Sequence, residues 1–470
     1  MKKYLLLLII LASFTSCEKQ LETFPTSSVS ADAAFRNEGD FSNAVRGAYR
    51  SMLSGSYYGG DLQGFDVATD NLIISQEGRF SQQFRHDWAY NANSGFGNYM
   101  ASAYRVIQNA NFILLNIDVL ADGAFKNNMK GEALAIRALA HFDIARYFAK
   151  IPTQSSDAGA SLAMPYVTIP DVNALPSRIT VAEYYDKLVL DLTQAATLIN
   201  ADNGKFQMGK DAVNGILANV YLHMGKYPDA RDAANKVTAV VGDRANFVGI
   251  WNDTKTDDVI FKLENDNATN VTLGVPYNQT AGGIKDEYVP DYAFFQQYDA
   301  SDIRKTAYFE TSVFAGNNYN HVKKWYSSTT TTSLGVVDAK ILRASEVQLI
   351  KAEALSEIPG NDVAARAALD AVRSKRYTGF TVGTEVGSAL KDAIAKERRL
   401  ELAFEGSRFS DLKRKGMAIE RSDFGHFADG TGVPAVNKTL PVGDFRFQAP
   451  IPVGELNLNA NMVQNPGYVN

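Results

Sequence analysis

Glu397 and Glu401 stand four residues apart in the stretch SALKDAIAKERRLELAFEGSRFSDL, residues 388–412. At about 100° of turn per helical residue, both fall on the stripe marked by Leu390, Ile394 and Phe404, so two carboxylates share the apolar face of one helix. A pair of carboxylates is what glycoside hydrolysis needs, and burial raises a carboxyl pKa toward the range of a general acid. Side chains one turn apart point the same way, however, whereas a glycosidase places its two groups on opposite sides of the scissile bond. A core-facing carboxylate is stable when an arginine meets it through two hydrogen bonds. Arg398 and Arg408 in the same stretch, and Arg343 and Arg373 upstream, are the candidate partners. The reading is a structural ion-pair network of Arg343, Glu397, Arg398, Glu401 and Arg408, with no catalytic residue.

Other chemistry is sparse. The five histidines at 86, 141, 223, 321 and 426 show no metal-ligand spacing, so no zinc site is expected. The loop DTKTDD, residues 253–258, offers oxygens for calcium but lacks the glycine and terminal glutamate of an EF-hand loop. No cofactor is expected, structural calcium in that loop being the alternative. The formal charge of −5 and the absence of a long run of one sign exclude a nucleic-acid footprint.

Cys17 is the only cysteine, which excludes an intramolecular disulfide. It follows Lys2, Lys3 and an apolar run from Tyr4 to Ala12, too short to span a bilayer and suited to a signal peptide. Thr15 and Ser16 precede it, and small residues before a cysteine behind an apolar run resemble the bacterial lipobox. The expectation is cleavage after residue 16, a lipid anchor on Cys17, a polar tether over 17–30 and a single domain over 31–470. An ordinary secretory signal is the alternative.

The domain reads as mainly α. Helical periodicity covers 31–53, 100–120, 129–148 and 181–199. Residues 210–238 form a helical hairpin with small residues at Ala218 and Ala230, at tetratricopeptide-like spacing. Residues 344–374 repeat it less cleanly, with Ala352, Leu355, Ala364 and Ala368. Three segments, 54–99, 240–340 and 421–470, lack helical period but are rich in glycine, polar residues and aromatics, which argues for functional loops on a helical scaffold.

The blocks GEALAIRALAHF, LRASEVQLIKAEAL and AKERRLELAFEGSRFSDLKRKG resemble signatures of the SusD/RagB family of surface lipoproteins. AYRVIQNANFIL, SRITVAEYYDKLVLDLTQA and the closing QNPGY extend the resemblance along the whole chain. It departs at Met100 and Ala149, both scaffold positions. The resemblance implies a tetratricopeptide-like helical-hairpin scaffold with a loop-rich ligand-binding face. It implies a non-catalytic protein, lipid-anchored at the outer membrane on the cell surface, that captures a glycan and delivers it to a SusC-like TonB-dependent transporter. A peptide ligand is the alternative within the family; a glycan hydrolase and a repeat-based interaction scaffold are the alternatives outside it.

Sugar binding calls for flat aromatic faces and planar polar groups. Asp70, Asn71, Arg79, Arg85, Trp88, Tyr90, Asn91 and Asn93 supply that mixture within 24 residues, and Tyr288, Tyr292, Trp325 and Tyr326 supply more aromatics. Trp88, between Arg85 and two asparagines, is the first choice of stacking platform.

Overall fold

Asn37 caps the first helix by accepting a hydrogen bond from the Asp40 amide, and the helix then buries Phe41, Val45, Ala48, Tyr49 and Met52 along one stripe. The computed structural model describes residues 34–469 except 62, 172, 275–276, 278, 281–283 and 327–333. The signal segment, Cys17 and the tether over 17–30 lie outside the described residues. Among those described, nine helices have nine or more residues: α1 Glu38–Met52, α2 Phe96–Asn116, α3 Ala124–Phe148, α4 Val181–Leu198, α5 Lys210–His223, α6 Tyr227–Asn235, α7 Ala344–Ser356, α8 Asp362–Arg373 and α9 Gly387–Glu401.

Helix α3 is the hub. It packs against α1, α2 and α4, and it is buried on nearly every side from Asn128 to Phe148. That is why its sequence carries alanine and large apolar residues around the whole circumference rather than on one stripe. At Gly131 a side chain would stand 2.8 Å from the Ile199 amide nitrogen, so glycine lets the end of α4 close on α3.

The two hairpins α5–α6 and α7–α8 are present, and α6 packs against α7 so that they lie side by side. Ala218 and Ala230 are buried at the first hairpin's contact, which turns at Gly225 with φ +69°. In the second hairpin Ala365, not the expected Ala364, faces inward. The buried apolar set there is Ala365, Ala368, Leu369 and Val372, the stripe of a helix starting at Asp362.

The helix expected through 388–412 breaks. It stops at Glu401, passes through Phe404 at φ +64° and Gly406 at φ +76°, and restarts as the short helix Arg408–Arg414. The break turns Glu405 toward Arg343 and brings the Gly406 amide to the Asp66 carboxylate at 2.8 Å.

The segments without helical period hold short antiparallel pairs instead. Among strands of three or more residues, β1 Leu72–Ile74 pairs with β3 Tyr288–Pro290, β2 Val259–Leu263 with β6 Ala339–Arg343, and β4 Phe309–Phe314 with β5 Asn317–Val322. Runs this short show too few alternations to be read from sequence.

Candidate functional site

Glu401 is completely buried, and its two oxygens accept hydrogen bonds from three arginines. Arg343 and Arg376 reach Oε1 at 2.7 and 2.9 Å; Arg376 and Arg304 reach Oε2 at 2.9 and 3.1 Å. Glu397 pairs with Arg304 at 2.7 Å and Arg373 at 3.2 Å. Asp258 and Glu405 take further bonds from Arg343. Arg398 and Arg408, expected beside these glutamates, go elsewhere. Arg398 pairs with Asp411 at 2.8 Å, and Arg408 grips Asp70 with bonds of 2.8 and 2.7 Å. Arg304 and Arg376 escaped the sequence reading because nothing periodic links them to α9. Every oxygen of the pair faces a guanidinium inside the core, so neither carboxylate can reach a sugar. This overturns the hydrolase alternative built on them.

The loop at 253–258 is occupied in the same way. Asp253 pairs with Lys340 at 2.8 Å and Asp258 with Arg343 at 2.7 Å. Among the described residues no three histidine, cysteine or carboxylate side chains gather to hold a metal ion.

Most of the expected ligand residues are interior. Trp88 is 2% exposed; its indole N–H donates to the Ala68 carbonyl at 2.8 Å and the Arg421 guanidinium lies 4.2 Å above its ring. Arg85 is buried against Asp61 and the rings of Phe65 and Phe96. Tyr90 donates to the Arg446 carbonyl, Trp325 to the Phe404 carbonyl, and Tyr288 is wholly buried. Asp70 and Asn71 are buried partners of Arg408 and Arg399. These seven are packing residues, because partners from distant segments cover them.

Arg79, Asn91 and Asn93 are exposed, and Tyr292 and Tyr326 half-buried. They do not form one cluster. Asn93 lines a cleft of about 700 Å³ between the start of α2, residues 165–176 and residues 452–462. Tyr326 packs beside Gly274 and Gly335.

Tyr292 is different, because its surroundings are built to display it. Asp291 caps the short helix Tyr292–Phe295 by accepting from the Phe294 amide, and its other oxygen accepts from the Ser422 amide and hydroxyl at 3.0 and 2.8 Å. That clamp sets Tyr292 beside Phe424, ring centroids 5.0 Å apart and planes at 65°. Phe424 is 46% exposed. Beneath both rings passes Gly430 at φ +83°, where a side chain would stand 2.6 Å from the Tyr292 ring and 3.0 Å from that of Phe424. Exposed Asp423, ion-paired with Lys438, and exposed Asn437 supply polar groups nearby in the chain. The sequence reading missed Phe424; its flanking Gly425 and Gly430 were the available signal.

A profile described as "SusD family" matches residues 245–468, and one described as "Starch-binding associating with outer membrane" matches residues 25–222. The chain belongs to the SusD/RagB family. Its relatives include SusD-like protein P2 of Formosa agariphila, 25% identical over the whole of both chains. A SusD superfamily structure from Bacteroides vulgatus is 26% identical with a TM-score of 0.82, covering 93% of this chain and all of that one. A laminarin binding SusD-like protein shares the fold at 22% identity and a TM-score of 0.71, over 92% of this chain and all of its own. The mainly helical fold is thus that of SusD-like proteins. No helix among the described residues is long and apolar enough to cross a membrane.

The buried charges of this SusD protein set its acid response. Burial pushes His86 down to about 4, His141 to about 3 and His223 well below the histidine range, so below pH ~6.5 the unfolded chain takes three protons that the fold refuses. Their stability contribution is present above ~6.5 and fades as pH falls. Burial raises Asp66, Glu132 and Asp286 to about 7, so their contribution is present below ~4 and fades as pH rises to 7. The two sets oppose each other between pH ~4.5 and ~6.5, where stability is expected to be nearly flat. Asp411, buried but beside Arg398 and Arg414, is held at about 2, and Glu401, buried but beside Arg376 and Arg343, well below the usual range. Their contribution is full above pH ~4 and lost below it. Guanidinium midpoints should therefore hold level from pH 6.5 to 4.5 and drop steeply by pH 3; a steady decline across the upper range would contradict the balance.

Proposed function

We propose that this SusD-family protein is a non-catalytic glycan-binding lipoprotein of the outer-membrane surface. It holds an oligo- or polysaccharide against Tyr292 and Phe424 and delivers it to a SusC-like TonB-dependent transporter. The observation that carries the reading is the displayed aromatic pair, seated on a glycine, in a chain that matches a profile described as starch-binding. Ring faces stack on the C–H faces of a sugar, and carboxylate and amide groups bond its hydroxyls.

A binding screen with starch, laminarin and other glycans tests it. Tyr292→Ala combined with Phe424→Ala should weaken binding tenfold or more, about 1.4 kcal/mol, while the melting temperature stays close to wild type. Undiminished affinity in that double variant would remove the pair as the platform.

In this reading Cys17 carries the lipid and residues 31–470 act as one domain. Cys17→Ala should move the protein from the membrane to the soluble fraction in cells lacking the transporter; full retention would count against the anchor.

A further inference from the structure

Beside the break in α9 lies a pocket of about 260 Å³ whose charged lining is Lys396, Arg398, Arg399, Arg408 and Lys415 against one carboxylate, Asp411. The break assembles it. Lys396, Arg398 and Arg399 come from the end of α9, Arg408 and Asp411 from the short helix Arg408–Arg414, and Lys415 from that helix's C-cap. The carboxylates that answer these cations are shared. Asp70 takes both Arg399 and Arg408, Asp411 takes Arg398 and Arg414, and Glu353 takes Arg414 and Lys415. Arg399 and Arg408 spend Nε and Nη2 on Asn71 and Asp70, which leaves Nη1 of each without an acceptor among the described residues. Arg398 is 2% exposed; its Nη2 lies 3.5 Å from Glu346 and its Nη1 has no hydrogen-bond partner. Lys396 is exposed and forms no ion pair among the described residues. Burial, with Arg408 adding to it, brings the Arg399 guanidinium down to about 10 in spite of Asp70, so this corner of the fold is short of negative charge. Neither the Tyr292–Phe424 pair nor the Glu401 network includes these cations.

We propose that this pocket binds a sulfate or phosphate monoester group. Such an oxyanion offers several acceptor oxygens at once, and guanidinium and ammonium donors meet it through charge-assisted hydrogen bonds. The unspent Nη1 groups of Arg399 and Arg408 and the ammoniums of Lys396 and Lys415 are the donors. Arg398, buried beneath them, adds charge without needing to touch the ligand. The site is partly withdrawn from water, since the Arg399 and Arg408 side chains are each 16% exposed, so the attraction is screened less than on an open surface. A volume of about 260 Å³, several times the ~30 Å³ share of one water, leaves room for part of the group that carries the ester. Met417, 49% exposed, gives that carrier an apolar wall, and Gln297 gives it an amide. The lining holds no aromatic side chain, so a neutral sugar finds no stacking surface here. The proposal does not rest on the glycan reading, because the pocket stands apart from Tyr292 and Phe424 and is tested with small esters.

The purified protein is titrated calorimetrically, in a zwitterionic buffer of low ionic strength, with glucose 6-sulfate, glucose 6-phosphate, inorganic sulfate, inorganic phosphate and glucose. At least one ester should bind tenfold or more tightly than glucose, and its affinity should fall as sodium chloride is added. Lys396→Glu combined with Lys415→Gln should weaken that ester at least tenfold. The melting temperature should stay close to wild type, since Lys396 has no ion pair to lose and Glu353 keeps Arg414. An ester that binds more tightly than its free ion brings the carrier into the site; equal binding assigns the site to the oxyanion alone. Esters that bind no better than glucose, or an affinity unchanged in the double variant, would overturn the proposal and leave the cations as solvated helix ends.

Discussion

Glu401→Ala is expected to destabilise the protein by about 3–5 kcal/mol, the usual cost of removing one partner from a buried ion pair. Three guanidiniums converge on this carboxylate, and all three arginines are wholly buried. Without it, Arg304 keeps Asp302 and Glu397, Arg343 keeps Asp258 and Glu405, and Arg376 keeps only a shared Asp258, so the buried N–H groups of Arg304 and Arg376 that bonded Glu401 lose their acceptor. Glu401→Gln preserves the shape but not the charge, and should fall between the variant and wild type. Guanidinium denaturation reads both. Glu397→Ala should cost less, because Glu397 pairs with two arginines rather than three, and one of them, Arg373, is partly exposed. A Glu401→Ala protein with wild-type stability would mean that the network is tolerated by the fold rather than needed by it.

Trp88→Ala should be nearly as costly, about 3–5 kcal/mol, the range for emptying a large aromatic from a packed core. The indole fills the space between the Ala68 carbonyl and the Arg421 guanidinium, and its removal strips a cation–π partner from an arginine that is itself buried. The same variant should bind glycan normally at temperatures where it remains folded. Chemical denaturation together with calorimetric titration separates the two effects. A stable variant with lost affinity would restore Trp88 to the ligand face and displace Tyr292.

Those two residues mark where the sequence was legible and where it was not. Glu397 and Glu401 could be placed on the inner face of a helix because α9 holds a steady period from Leu390 to Glu401. Their arginines could not all be named, since Arg304 and Arg376 arrive from a short helix and a turn with no pattern pointing at α9. Trp88 sits at φ +51° just past a four-residue helix, where neighbouring asparagines suggest an exposed turn. Its cover, Arg421, comes from more than three hundred residues downstream. Local polarity reports what flanks a residue along the chain, whereas burial depends on what crosses over it. The same limit hid Phe424, whose partner Tyr292 is joined to it only through the Asp291–Ser422 clamp.

The clamps that close this fold share a direction in time. Arg304, Arg343 and Arg376 all precede Glu401, as Asp70 precedes Arg399 and Arg408. Asn465, five residues from the end, supplies the Phe148 carbonyl and Arg178 with their hydrogen bonds. A chain emerging from its N-terminus first therefore carries unmatched charges on both halves until the last quarter has been released. Contacts of such long sequence separation form slowly, and no early segment holds all its own partners. A chain that stops upstream of residue 401 would leave Arg304, Arg343 and Arg376 without their shared carboxylate, the same loss that makes Glu401→Ala costly.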